Sequence, residues 1–148
     1  MATHRISRSI TVKAPARRVF DIIASPARHP ELDGSDTVRG VRSGPERLSP
    51  GSRFGMTMRM FGLPYRMSNR VVEFEEDRLI AWRHVGPHRW RYELEETDEG
   101  VTRVTETFDY TRGPSAFYIL LGAPARNARG IERTLVRLRG VAEAAERD

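Results

Sequence analysis

Residues 79–110 read LIAWRHVGPHRWRYELEETDEGVTRVTETFDY, three alternating runs separated by two turn signals. The first turn decides the register. With Val85-Gly86-Pro87 as the loop, His84 faces His88, Trp82 faces Trp90 and Ile80 faces Tyr92. Arg83 then meets Arg89, and Ala81 meets Arg91, on the other side. A two-residue loop would set Trp82 against Arg91, mixing apolar and charged side chains on one face, so it is rejected. The second turn, Asp98-Glu99-Gly100, reads as a three-residue hairpin with glycine in the left-handed position. It pairs Leu94 with Val104, Tyr92 with Glu106, Trp90 with Phe108 and His88 with Tyr110.

Upstream, Phe61 to Pro64 as a four-residue loop pairs Met60 with Tyr65, Met58 with Met67, Met56 with Asn69 and Phe54 with Val71. The alternation falters at Val71-Val72-Glu73-Phe74, which predicts a bulge. One sheet face thus collects Phe54, Met56, Met58, Met60, Tyr65, Met67, Ile80, Trp82, Trp90, Tyr92, Leu94, Val104, Phe108 and Tyr110. Either these side chains fill a core, or they line a pocket, for which adaptable methionines and aromatics suit an apolar ligand.

The rest of the chain supplies the cover. His4 to Lys13 alternates, with Ile6, Ile10 and Val12 on one side, and reads as a strand. Pro15 opens a helix with Val19, Ile22 and Ile23 as its apolar stripe. Ser25-Pro26 ends it and leads into a short second helix reaching about Leu32. Turn signals between Thr37 and Thr111 divide that stretch into six consecutive strands, an antiparallel meander. Gly113-Pro114 ends the sheet. A long helix from about Arg126 to Glu146 follows, with Ile131, Leu135, Leu138 and Ala142 turned inward and Arg129, Arg133 and Arg137 on another face. The Ala123-Pro124 break makes Phe117 to Gly122, FYILLG, a candidate lid with Leu121 at the entrance, or else an ordinary packed turn. An exposed face of this segment could support a homodimer.

Composition narrows the chemistry. The chain has 148 residues, 25 Lys plus Arg, 20 Asp plus Glu and no cysteine, for a formal charge of +5. One domain over residues 1–148 is expected at this length. Without cysteine there are no disulfides, thiolate metal sites or cysteine nucleophiles, and a reducing cytoplasm is the expected compartment. There is no apolar run long enough to span a membrane and no signal-peptide h-region in MATHRISRSI. All basic residues but Lys13 are arginines, scattered and mostly close to an acid. That pattern reads as a solvated surface, and nucleic acid is disfavoured as a partner. Neither G-x-S-x-G nor a glycine-rich nucleotide loop occurs, so His29 and Asp33 give no ground for a serine triad and no nucleotide cofactor is implied.

Glu106 is the informative residue. The register sets a carboxylate among Tyr92, Ile80 and Trp82, where a charge must be paired, hydrogen-bonded or neutralised. It either forms a salt bridge with Arg8, which falls on the inner face with Ile6 and Ile10, or serves in binding or acid/base work with Tyr92 or Tyr110. His84 and His88 flank a hairpin turn near the sheet rim. They lack a third ligand, so no metal is expected.

The strand, two short helices, six strands and long helix together resemble the START-like helix-grip (SRPBCC) superfamily. The carrying segments are ITVKAPARRVFDIIASPARHPELDGS, GSRFGMTMRM, VVEFEEDRLIAWRH, RWRYELEE and GVTRVTETFDY, which look like the polyketide cyclase/dehydrase branch. The resemblance covers about Ile6 to Ala142. It implies an α+β fold in which a curved seven-stranded antiparallel sheet grips the C-terminal helix around an apolar cavity, and it favours the pocket over the filled core. It supplies no shared catalytic motif and no cofactor. The leading expectation is a carrier or sensor for a hydrophobic small molecule such as a polyketide, lipid or aromatic metabolite. Its lining would be Phe54, Met56, Met58, Met60, Tyr65, Met67, Ile80, Trp82, His84, His88, Trp90, Phe108, Leu121 and Leu135. The alternatives are a cofactor-free cyclase or dehydratase using Glu106 with Tyr92, Tyr110 or a rim histidine, and a module that binds an anionic partner through its arginines.

Overall fold

The computed structural model describes residues 5–60, 62–83, 88–110 and 123–147, with side chains left out at 60, 123–127 and 146–147. Strand β1 (Arg5–Val12) leads into α1 (Ala16–Ile23), a single 3-10 turn (Pro26–Arg28) and α2 (His29–Leu32). Six strands follow: β2 (Val38–Ser43), β3 (Arg53–Met60), β4 (Leu63–Glu75), β5 (Leu79–Arg83), β6 (Arg89–Asp98) and β7 (Val101–Asp109). The chain ends in α3 (Ala123–Arg147). Pro124 lies in the first turn of α3, where a missing N–H costs no hydrogen bond. The strands form one antiparallel sheet in the order β1-β7-β6-β5-β4-β3-β2. This is the helix-grip α+β arrangement.

The registers explain which side chains meet the helices. Across β5 and β6, Trp82 pairs with Trp90, Ile80 with Tyr92 and Arg83 with Arg89, as the parity around Val85-Gly86-Pro87 requires. Across β6 and β7, Tyr92 pairs with Glu106 and Trp90 with Phe108. The turn between them is tighter than expected. Asp98 pairs with Val101, so only Glu99-Gly100 lies between, and the extra residue is absorbed by a bulge between Glu96 and Asp98. Gly100 sits at φ 71°, in the region that favours glycine. The bulge expected in β4 falls between Val71 and Glu73.

The β3–β4 hairpin is a correction. Met60 pairs with Leu63, Met58 with Tyr65, Met56 with Met67 and Phe54 with Asn69, two residues out of the expected register. The expected four-residue loop is replaced by a two-residue turn, whose Gly62 takes φ 77°. Tight turns with positive φ match the twist of paired strands better than open loops do. A slip of two preserves parity, so the same methionines and aromatics still face inward.

The inner face packs against α1 and α3. Val19, Phe20, Ile22 and Ile23 of α1 are buried, and Phe20 meets Phe74 edge-on at 5.4 Å. From α3, Ile131, Leu135, Leu138 and Ala142 are buried as one stripe. The outer face carries charge, with Arg91 bridging Glu73 and Glu93, and beside α1 Arg47 bridges Asp21 and Glu76. Among the described residues no helix is long and apolar enough to cross a membrane. The expected lid at Phe117 to Gly122, with Leu121, and the predicted rim position of His84 lie outside the described residues.

Candidate functional site

Between the inner sheet face, α2, α3 and the loop after α2 lies a cavity of about 270 Å³. The sheet contributes Phe54, Met56, Met58, Tyr65, Met67, Trp82, His88, Trp90, Tyr92, Glu106 and Phe108, each singled out from strand parity. Two expected lining residues, Ile80 and Leu135, and the acid/base candidate Tyr110 stand outside the lining. Ile80 is fully buried beside Phe74, at the end of the sheet that α1 covers, where no space is left. Leu135 is packed one turn beyond Ile131 and next to Thr134, the α3 side chains that do face the cavity. Tyr110 stacks on Phe108 at 5.7 Å and 19°, behind the wall rather than in it. The side chain of Met60 is outside the described residues.

The walls are aromatic and ordered. His29 stacks on Trp82 at 5.1 Å and 20°, while Phe54 meets both edge-on at 5.9 Å and 5.6 Å. Tyr92 tilts against Trp82 at 5.6 Å. On the β7 side, Trp90 lies 4.5 Å from Phe108, and His88 lies 5.8 Å from it. His88 is buried rather than on the open rim, and burial lowers its pKa.

Part of the wall comes from residues without a periodic signal. His29 Nε2 donates to the Ile23 carbonyl at 2.8 Å, and burial holds its pKa below the usual histidine value. That hydrogen bond locks the neutral ring against Trp82. Asp33 ties the following loop: its carboxylate accepts from the backbone N–H of Ser35 at 3.0 Å, Thr37 at 2.9 Å and Val38 at 2.8 Å. The loop then leans on α3. Gly34 N–H donates to Thr134 Oγ1 at 2.8 Å, and Thr134 Oγ1 donates to the Gly130 carbonyl at 2.9 Å. A Cβ at Gly34 would stand 2.3 Å from the Gly130 oxygen, so this approach requires glycine. The Asp33-Gly34-Ser35 turn between α2 and β2 was the hint of this wall. It carries no period that ties it to α3.

Glu106 dominates the electrostatics. Its carboxyl is 3% exposed, and its Oε1 has no hydrogen-bond partner among the described residues. Burial pushes its pKa up to about 8; the Tyr92 hydroxyl, hydrogen-bonded to it, pulls the other way, and the Asp33 charge adds to the rise. Burial and the neighbouring Glu106 in turn raise Tyr92 well above the usual tyrosine value. Glu106 is therefore mostly the neutral acid at pH 7. The salt bridge expected from Arg8 does not form. Arg8 is the direct partner of Glu106 across β1 and β7, but its Nε reaches Glu132 of α3 at 3.1 Å. On an edge strand a long guanidinium can stay in water, which avoids the cost of burying it. Among the described residues no group of three or more His, Asp or Glu is arranged to hold a metal ion.

Residues 3–143 match the family described as polyketide cyclase / dehydrase and lipid transport. The chain is 48% identical over 139 residues to uncharacterized protein Rv0088 of Mycobacterium tuberculosis (strain ATCC 25618 / H37Rv). That match covers 90% of this chain and 62% of the relative, so the chain spans less than two thirds of the curated relative's length. Among solved structures, protein Ms6760 from Mycobacterium smegmatis superposes with a TM-score of 0.74 at 20% identity, covering 97% of this chain and 93% of that one. The Zhui aromatase/cyclase from Streptomyces sp. R1128 superposes with a TM-score of 0.69 at 18% identity, covering 96% and 94%. At those identities the likeness is one of fold. The cavity is of the hydrophobic-ligand type, and the chain belongs to the polyketide cyclase/dehydrase and lipid transport family within the START-like helix-grip superfamily.

Proposed function

We propose that the chain carries or senses a hydrophobic small molecule of one or two rings, held in the cavity between the sheet and α3. The observation behind this reading is a cavity of about 270 Å³ walled by closely packed aromatics and methionines. An apolar protein cavity of roughly 150 Å³ accepts benzene, so this one has room for one or two fused rings. The chain acts in the cytoplasm and needs no cofactor in this reading. Its arginines serve as solvated surface rather than as a nucleic-acid site, as their ion pairs with Glu73, Glu76 and Asp21 support. Whether it pairs with a second copy is separate from ligand capture. The test is denaturing mass spectrometry of the purified protein. A stoichiometric apolar compound supports the reading, and a protein that neither retains nor takes up one contradicts it.

A second reading is a cyclase or dehydratase. It draws on Glu106, whose pKa of about 8 suits proton transfer near neutrality, with Tyr92 beside it. Tyr110, stacked on Phe108, is the less direct partner in this reading. Glu106→Gln separates the two: an enzyme loses turnover, while a carrier keeps its ligand.

A further inference from the structure

Apolar contact leaves the carboxyl of Glu106 unused. Glu106 is buried in the cavity wall, and its Oε1 has no hydrogen-bond partner among the described residues. The groups facing it offer little else. Tyr92 from β6 supplies a hydroxyl, and Asp33 from the loop after α2 supplies only more negative charge. Arg8 on β1 is turned to Glu132, and the Nε2–H of His29 from α2 is spent on the Ile23 carbonyl. His88 lies against Phe108. From α3 the cavity receives Gly130, Ile131 and Thr134, and the Thr134 hydroxyl is already donated to the helix backbone.

A neutral carboxylic acid has one O–H to donate. A buried donor without an acceptor is costly, so the free site gains whatever acceptor a ligand brings. We infer that Glu106 is the specificity-determining group of the cavity and selects a flat, one- or two-ring compound that presents a neutral carbonyl oxygen, rather than a carboxylate. The inference rests on the cavity-binding reading above. The flat frame follows from the ring planes of Trp82, His29, Trp90 and Phe108. Rejection of a carboxylate follows from the charge of Asp33 in the cavity wall. A second anion would enter an apolar site with no cation turned toward it among the described residues, which is costly.

Three probes of matched frame test this: 1-acetonaphthone, 1-naphthoate and naphthalene, titrated calorimetrically into the full chain at neutral pH. The ketone is expected to bind about tenfold tighter than naphthalene, the worth of one buried hydrogen bond, and naphthoate more weakly than either. In Glu106→Met the ketone drops to the naphthalene level while naphthalene still binds. Should that variant not fold, the infrared carbonyl stretch of the ketone on the wild-type chain decides, moving to lower frequency when bound to an O–H. Equal binding of ketone and naphthalene, or preference for naphthoate, overturns the inference and leaves the cavity reading standing. Failure of all three to bind overturns both.

Discussion

Arg8 and Glu106 are directly opposed across β1 and β7, yet they form no ion pair: Arg8 turns outward to Glu132 at 3.1 Å, and Glu106 stays buried. The edge position of β1 makes this division feasible, because only there can a long side chain on the inner face still reach water. It leaves the cavity with an acid rather than a neutralised pair.

This arrangement makes Arg8 expendable for stability. The Arg8 side chain is 46% exposed, and exposed pairs contribute about 0–1 kcal/mol. Arg8→Met is expected to change the unfolding free energy by less than about 1 kcal/mol in urea titration. A buried Arg8–Glu106 pair would cost roughly 3–5 kcal/mol when broken, and a loss of that size would contradict the observed geometry.

Glu106 gives the protein a stability that declines toward alkaline pH. Its folded pKa, about 8, lies above the ordinary glutamate value of 4.5, so between those values the folded state keeps a proton that the unfolded state has released. The contribution is whole below pH 4.5 and is lost as the pH rises through about 8. Over that window the loss is on the order of a few kcal/mol. Glu106→Gln, which cannot ionise, is expected to flatten the profile. Urea midpoints at pH 6 and pH 9 for both chains check this, and an equal alkaline loss in the variant would speak against a buried neutral acid.

His29 acts at the other end of the scale. Burial lowers its folded pKa below the ordinary histidine value of 6.5, so the unfolded chain takes up a proton first as the pH falls. Its contribution is present above pH 6.5 and is lost as the pH falls through the lowered folded value. His29→Gln removes this sensitivity, and the comparison of melting temperatures at pH 7 and pH 5 should show a smaller drop than in the wild type. The variant also loses the stack on Trp82, worth about 1 kcal/mol at either pH.

The two glycines at the loop–α3 contact should respond in opposite ways. A Cβ at Gly34 meets the Gly130 oxygen at 2.3 Å and Thr134 N at 2.7 Å, both backbone atoms. Gly34→Ala is therefore expected to destabilise by about 1–3 kcal/mol and to weaken ligand binding by moving the wall. A Cβ at Gly130 meets nothing closer than 3.8 Å. Gly130→Ala should be neutral or stabilise by up to about 1 kcal/mol through helix propensity. Thermal melts of both variants decide; equal destabilisation would show that the loop does not lie where it is placed.

Much of the inner face was legible from parity alone. The tryptophans around Val85-Gly86-Pro87 fixed one hairpin, and the β3–β4 turn was misjudged without harm because a slip of two keeps each side chain on its face. Two kinds of information were not in the pattern. Periodicity assigns a face but not the reach of a side chain, so Arg8 was expected to point at Glu106. Nor does it join segments distant in the chain. His29, Asp33 and Thr134 meet only because Gly34 lets the loop touch α3, an approach set by backbone clearance. Tyr110, Ile80 and Leu135 show the converse: the correct face includes packed positions as well as cavity walls.

The central claim is that the space between Trp82 and Phe108 is a binding cavity with Glu106 as its polar anchor. A crystal structure of the chain grown with 1-acetonaphthone tests it most directly. The account predicts the ring system between those aromatic walls, with its carbonyl oxygen about 2.5–3.0 Å from a Glu106 oxygen. A cavity left without the ketone at saturating concentration, or closed by its own side chains, would contradict it.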